Sequence, residues 1–157
     1  MPADWSNRYL REIVVKWFDR SQDHGDWKNV FDRFIFLWIA FDAWGSNESK
    51  AINDKMIDWA KTSPLKDVFR QIRPNLEDDL RRLHEKGEIP NHMGGPSIWL
   101  EDPHDFHRLL DVIYQIRNNL FHGHKSPDDV GDEELVTLAY RILSPIFKPS
   151  VENLRGS

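Results

Sequence analysis

The stretch "WKNVFDRFIFLWIAFDAWGSN", Trp27 to Asn47, decides how the rest of the chain is read. Trp27, Val30, Phe31, Phe34, Leu37, Trp38, Phe41 and Trp44 recur at the spacing of one helix face. From Phe34 to Trp44 the opposite side is apolar too, through Phe36, Ile39, Ala40 and Ala43. A helix that is apolar all round has to be covered all round. The spacing therefore predicts a central helix, ended at Gly45-Ser46-Asn47, with its second face packed against another subunit.

Working outward, "REIVVKWFDR" predicts a short amphipathic helix starting near Trp5, broken by the turn residues of "SQDHGD". On the other side, "ESKAINDKMIDWAKTS" predicts a shorter helix with Ile52, Met56 and Trp59 on its stripe. Ser63-Pro64 reads as an N-cap followed by proline in the first turn of a helix reaching about Lys86, with a kink or break expected at Pro74. Arg70, Arg73, Arg81 and Arg82 lie there among Glu77, Asp78 and Asp79, as a solvated charged face or as a basic rim near a nucleic-acid groove. Residues 87–101 form a Gly/Pro-rich connection, either a lid or a surface excursion. Asp102-Pro103 then opens a helix over "HDFHRLLDVIYQIRNNLFH", stopped by Gly123. Asp132 caps a last helix, "EELVTLAYRILSPIF", and a polar tail, 149–157, closes the chain. No strand pattern and no repeat interrupts this order. The reading is one all-α domain over 1–157, a bundle of about five to six helices with its core over about 27–148.

Composition narrows the function. The chain has 157 residues, 39% of them hydrophobic and 30% charged, which is enough for a packed core without staples. The absence of cysteine removes disulfides and thiolate metal sites and suits a reducing cytoplasm. "MPADWSNRYLREIVV" lacks the marks of a signal peptide, and no apolar run is long enough for a membrane span, so no membrane partner is expected. A net charge of −5 argues against a protein that grips duplex nucleic acid through its overall field. It leaves room for a local basic site on a small or single-stranded RNA.

One short stretch departs from the ordinary alternation of apolar and charged residues: "QIRNNLFHGHK", Gln115 to Lys125. Phe106, Leu109, Ile113, Ile116 and Leu120 mark the buried stripe of its helix, and Arg117 sits at the edge of that stripe above Leu110, Ile113 and Tyr114. Asn118 and His122 stack one turn apart beside it. Arginine offers a charged fork that fits phosphate oxygens. Histidine gives and takes protons near neutral pH, and asparagine can hold a phosphate oxygen or orient the ring. Together they supply what cleavage of a phosphodiester by an RNA 2′-hydroxyl needs, without a metal or another cofactor. The competing reading makes Arg117 a structural ion-pair residue and His122 a polar helix end. His104 and His107, in "PHDFH", have metal-ligand spacing but no evident third ligand, and read as first-turn polar residues.

At these residues the chain resembles the HEPN domain family, small all-α modules of which many are metal-independent ribonucleases in toxin–antitoxin, antiphage and RNA-processing systems. The family's motif is an Arg, usually followed by a polar residue, with a His four to six residues after the Arg. It matches Arg117, Asn118 and His122 in "RNNLFH". "FLWIAFDAWGSN" also resembles the long apolar first helix of several such families, with Asp42 where an Asn is expected. The likeness covers about residues 27–148. It implies a homodimer that brings two motifs into one cleft, RNA as substrate, a 2′,3′-cyclic phosphate product, and an antitoxin or nucleotidyltransferase as partner. His122 would act as general acid or base, Arg117 would bind the scissile phosphate, and Asn118 would orient either. Asp42 would pair with Arg117 or occupy a plain helix-end position. His124 and Lys125 would touch RNA phosphates or serve as loop residues. Some members of the family have lost catalysis, so the alternative function is an inactive module binding a nucleotide or a protein.

Overall fold

The computed structural model describes residues 3–23, 25, 29–122 and 130–156, with the side chains of 130–132 left aside. Among these residues six helices follow one another: α1 (Arg8–Gln22), α2 (Val30–Ser49), α3 (Asn53–Ala60), α4 (Leu65–Glu85), α5 (Phe106–Phe121) and α6 (Val130–Arg155). Among the described residues the one β-type pairing is an isolated antiparallel bridge between Ile89 and Ile98. The chain is all-α.

α2 is the central element. Phe34, Leu37 and Phe41 are fully buried, with Trp38 and Trp44 nearly so. Phe41 meets Phe147 of α6 edge-on at 5.3 Å, and Phe18 of α1 meets the same ring at 5.8 Å. The second apolar face of α2 is covered differently from the expectation. α1 packs along α2, and Trp17 lies against Phe36 with ring centroids 5.3 Å apart. Ala40 is fully buried, and Ile39 and Ala43 are half-buried. The chain's own first helix thus covers part of the face for which the sequence predicted a second subunit.

Several helix ends fall where side-chain chemistry puts them. Asn7 caps α1, its Oδ1 accepting from the backbone N–H of Tyr9 at 2.9 Å. Ser63 Oγ accepts from the N–H of Leu65 at the start of α4. Trp27 lies outside the described residues, and Asn29 caps α2 through the N–H of Asp32.

Other ends are corrections. Gly45-Ser46-Asn47 does not stop α2, which runs on to Ser49 with Lys50 left-handed at φ 56°. Gly45 is there for room: a Cβ on it would sit 2.5 Å from Met56 Sδ of α3. In α3 the buried stripe is Met56, Ile57 and Ala60, while Ile52 lies outside the helix and exposed. α4 passes through Pro74 unbroken, because Phe69 before it and Leu76, Leu80 and Leu83 after it are all anchored in the core. The missing N–H costs one hydrogen bond, which that packing outweighs. α5 is capped by Asp105, three residues later than expected, through the N–H of Arg108 at 3.1 Å. Asp102 instead accepts from His104 N–H in the preceding turn. α6 begins at Val130, ahead of Asp132, and continues through Pro145 and Pro149. The expected polar tail is therefore the last two turns of α6, with Val151 fully buried and Leu154 nearly so. The core accordingly extends past 27–148 at both ends, to Val14 and Phe18 and to Leu154.

Residues 87–101 are anchored as well. Ile89 and Leu100 are buried, and the Trp99 indole donates to His84 O while His84 Nδ1 lies 2.8 Å from Leu100 O. No helix is long and apolar enough to cross a membrane among the described residues.

Candidate functional site

α5 positions Arg117 by burying its neighbours. Leu109, Ile113 and Ile116 are packed into the core, and Arg117, next after Ile116, emerges half-buried at the border of that stripe. Trp38 of α2 and Tyr114 of α5 stack at 6.0 Å beside it. The guanidinium carbon lies 5.8 Å from the centre of the Trp38 ring, 6.0 Å from Tyr114 and 4.3 Å from Phe121. Three aromatic faces thus hold the cation by their quadrupoles.

What Arg117 lacks is as telling. Nη1 donates to Asn118 Oδ1 at 2.8 Å. Nε is sealed from solvent and has no hydrogen-bond partner. No carboxylate lies within ion-pair distance of this arginine among the described residues. A half-buried charge is normally paired. This one is fixed in place with most of its donors unused.

The Asn118 side chain is therefore a partner of Arg117, with no hydrogen bond to the His122 ring among the described residues. His122 forms the C-cap of α5, its backbone N–H donating to Asn118 O at 3.1 Å, and its side chain is exposed. The sequence placed Arg117, Asn118 and His122 on one helix end, and the structure keeps them there. Asp42 is half-buried on α2, one turn beyond Trp38, and makes no ion pair with Arg117. His124, Lys125 and the Gly123 stop lie outside the described residues. Among the described residues no group of three metal-ligating side chains comes together.

Three residues of this site were not singled out. Phe121, four residues after Arg117, is 40% exposed and forms the outer face of the arginine's cage. Its spacing was a signal in the sequence. Trp38 comes from another helix and could be found only by folding the chain. Asn119 is 1% exposed and links α5 to the 87–101 segment. Its Oδ1 accepts from His92 N–H at 3.1 Å and Gln115 Nε2 at 2.8 Å, and its Nδ2 donates to Pro90 O at 2.8 Å. Its place three residues after Ile116, on the buried stripe, was the available clue. The two adjacent asparagines thus have different jobs: Asn118 holds the arginine, and Asn119 holds the fold.

The chain matches no family model, no curated protein and no solved structure. Its function is read from these residues.

Proposed function

We propose that the protein is a metal-independent endoribonuclease of the HEPN type, with Arg117 and His122 as its reacting pair. The observation that carries this reading is the uncompensated Arg117: a rigid fork caged by Trp38, Tyr114 and Phe121, with no carboxylate to neutralise it. Such a cation is prepared for an oxyanion, and a phosphodiester is the planar fork's natural ligand. Charge that builds on the phosphorane would be stabilised by donors already in position. The exposed Phe121 beside it offers a face on which an unpaired base stacks, which favours single-stranded RNA.

In this reaction the 2′-hydroxyl loses its proton as its oxygen attacks phosphorus, and the leaving 5′-oxygen takes one up. The products are a 2′,3′-cyclic phosphate and a free 5′-hydroxyl. One exposed imidazole can serve as base or as acid in a single step. A homodimer with two α5 ends in one cleft supplies both, His122 and the partner's His122. The toxin or antiphage setting, and an antitoxin or nucleotidyltransferase partner, rest on the family resemblance alone.

The exposed Phe121 also supports a second reading, an inactive module that stacks a nucleotide base without cleaving. Incubation with RNA in excess EDTA separates the two. Cleavage that persists in EDTA and is lost in Arg117→Ala and His122→Ala supports the nuclease. Binding without cleavage supports the second reading, and full activity of a folded His122→Ala protein overturns the assignment.

A further inference from the structure

The opposite end of α5, about 15 Å along the helix axis from Arg117, carries a second cationic assembly. Lys66, Arg70 and Arg73 stand on one face of α4, four and then three residues apart. They line a cleft of about 340 Å³ whose far wall is His104 to His107. Its floor is a stacked pair, Phe69 and Phe106, with ring centroids 5.2 Å apart and both rings buried. That packing fixes the two walls relative to each other.

The cations of this cleft are only loosely paired. Arg73 Nε is cut off from solvent and has no hydrogen-bond acceptor; Glu77 Oε1 forms only a long ion pair with it, at 3.8 Å. The other Glu77 oxygen is engaged with His104 Nε2 at 3.0 Å. Arg70 has a loose, exposed contact to Asp67 at 3.6 Å. Lys66 makes no ion pair among the described residues. The one carboxylate in the lining, Asp105, is committed to the N–H of Arg108 as the α5 cap. Three cations and two imidazoles thus line the cleft with one carboxylate, Asp105, while Asp67 and Glu77 meet Arg70 and Arg73 only at 3.6 and 3.8 Å, in a chain whose net charge is −5.

We propose that this α4–α5 cleft is a binding site for a phosphate group. Arg73 and Arg70 supply directed donors, Lys66 supplies a mobile point charge, and the aromatic floor lowers the local dielectric that strengthens all three. The site is small, near the lower end of ligand-pocket volumes, so it takes a single phosphate or one phosphodiester of a strand passing over it. It stands independently of the reading of Arg117.

The test is a nuclear magnetic resonance titration that follows the Arg73 Nε–Hε signal and the His104 ring. Three probes are used at constant ionic strength: inorganic phosphate, adenosine monophosphate, and a short oligoribonucleotide made uncleavable by 2′-O-methylation. Saturable shifts are expected at both residues with at least one probe. They should weaken about tenfold or more in Arg70→Gln/Arg73→Gln and persist in Arg117→Ala. Lys66→Gln/Arg70→Gln, which changes only partly or fully exposed side chains, gives the same reading if the first pair disturbs packing. Tighter binding of the mononucleotide assigns the site to a small phosphorylated molecule, and tighter binding of the oligoribonucleotide assigns it to the RNA backbone. Shifts that chloride reproduces, or the absence of saturation with all three probes, overturn the proposal. Because the readout is binding in a variant lacking Arg117, it can fail while cleavage succeeds, and the reverse.

Discussion

Replacing Asn119 by alanine should cost far more stability than the same change at its neighbour Asn118. Asn119 makes three hydrogen bonds, at 2.8, 2.8 and 3.1 Å, from a position only 1% exposed. Each is worth about 1 kcal/mol net, so their loss removes about 3 kcal/mol. A larger penalty for stranded partners does not apply in full. Pro90 and His92 are exposed residues of the 87–101 segment, and water can replace the lost side chain there. Asn118 is half-buried and makes one bond, to Arg117 Nη1. Its removal should cost about 0.5–1 kcal/mol. For a chain of this length, the Asn119 change corresponds to a fall of about 6–12 °C in Tm, against about 1–4 °C for Asn118. Thermal and urea unfolding would measure both, and hydrogen exchange at His92 and Ile98 would localise the loss. Activity should divide the other way, with Asn118→Ala altering RNA cleavage in a protein of nearly normal stability. Equal and small destabilisation by the two substitutions would refute the division of labour between them.

Two further outcomes follow from the core. Val151→Ala/Leu154→Ala should destabilise the protein by about 4 kcal/mol, measured by denaturant unfolding, because both residues are buried at the end of α6; a change under about 1 kcal/mol would return this segment to the status of a tail. Burial pushes the Tyr140 phenol above the usual tyrosine value, with its hydroxyl donating to Ser21 O at 2.6 Å. The unfolded chain therefore loses this proton first, so stability is fully present below about pH 10 and falls as pH rises past it. Ultraviolet titration should show one tyrosine ionising late, and Tyr140→Phe should remove its part of the alkaline loss.

The number and order of the helices were legible because apolar side chains at helical spacing must face a core whichever element covers them. The start of α4 belongs to the same level, since the Ser63 hydroxyl satisfies the N–H of Leu65 two residues on with no help from the rest of the fold. The edge position of Arg117 was legible for the same reason, as was the shared helix end of Arg117, Asn118 and His122. Glycine and proline misled. Gly45 resembled a stop signal, and its reason, the close approach of Met56, exists only once α3 folds back. Pro74 resembled a break, and α4 is carried through it by core contacts on both sides that no local rule records.

The tertiary structure alone decided what surrounds each charge and each apolar face. How much of the second side of α2 the chain covers by itself depended on where α1 would lie, and α1 lies along it. The cage around Arg117 needs Trp38, 79 positions earlier in the chain. The α4–α5 cleft needs Arg73 opposite His104, 31 positions later in the chain. Periodicity reports the direction in which a side chain points along its own helix. The partner it meets is set by the packing of helices against one another, which is non-local and cannot be read from spacing.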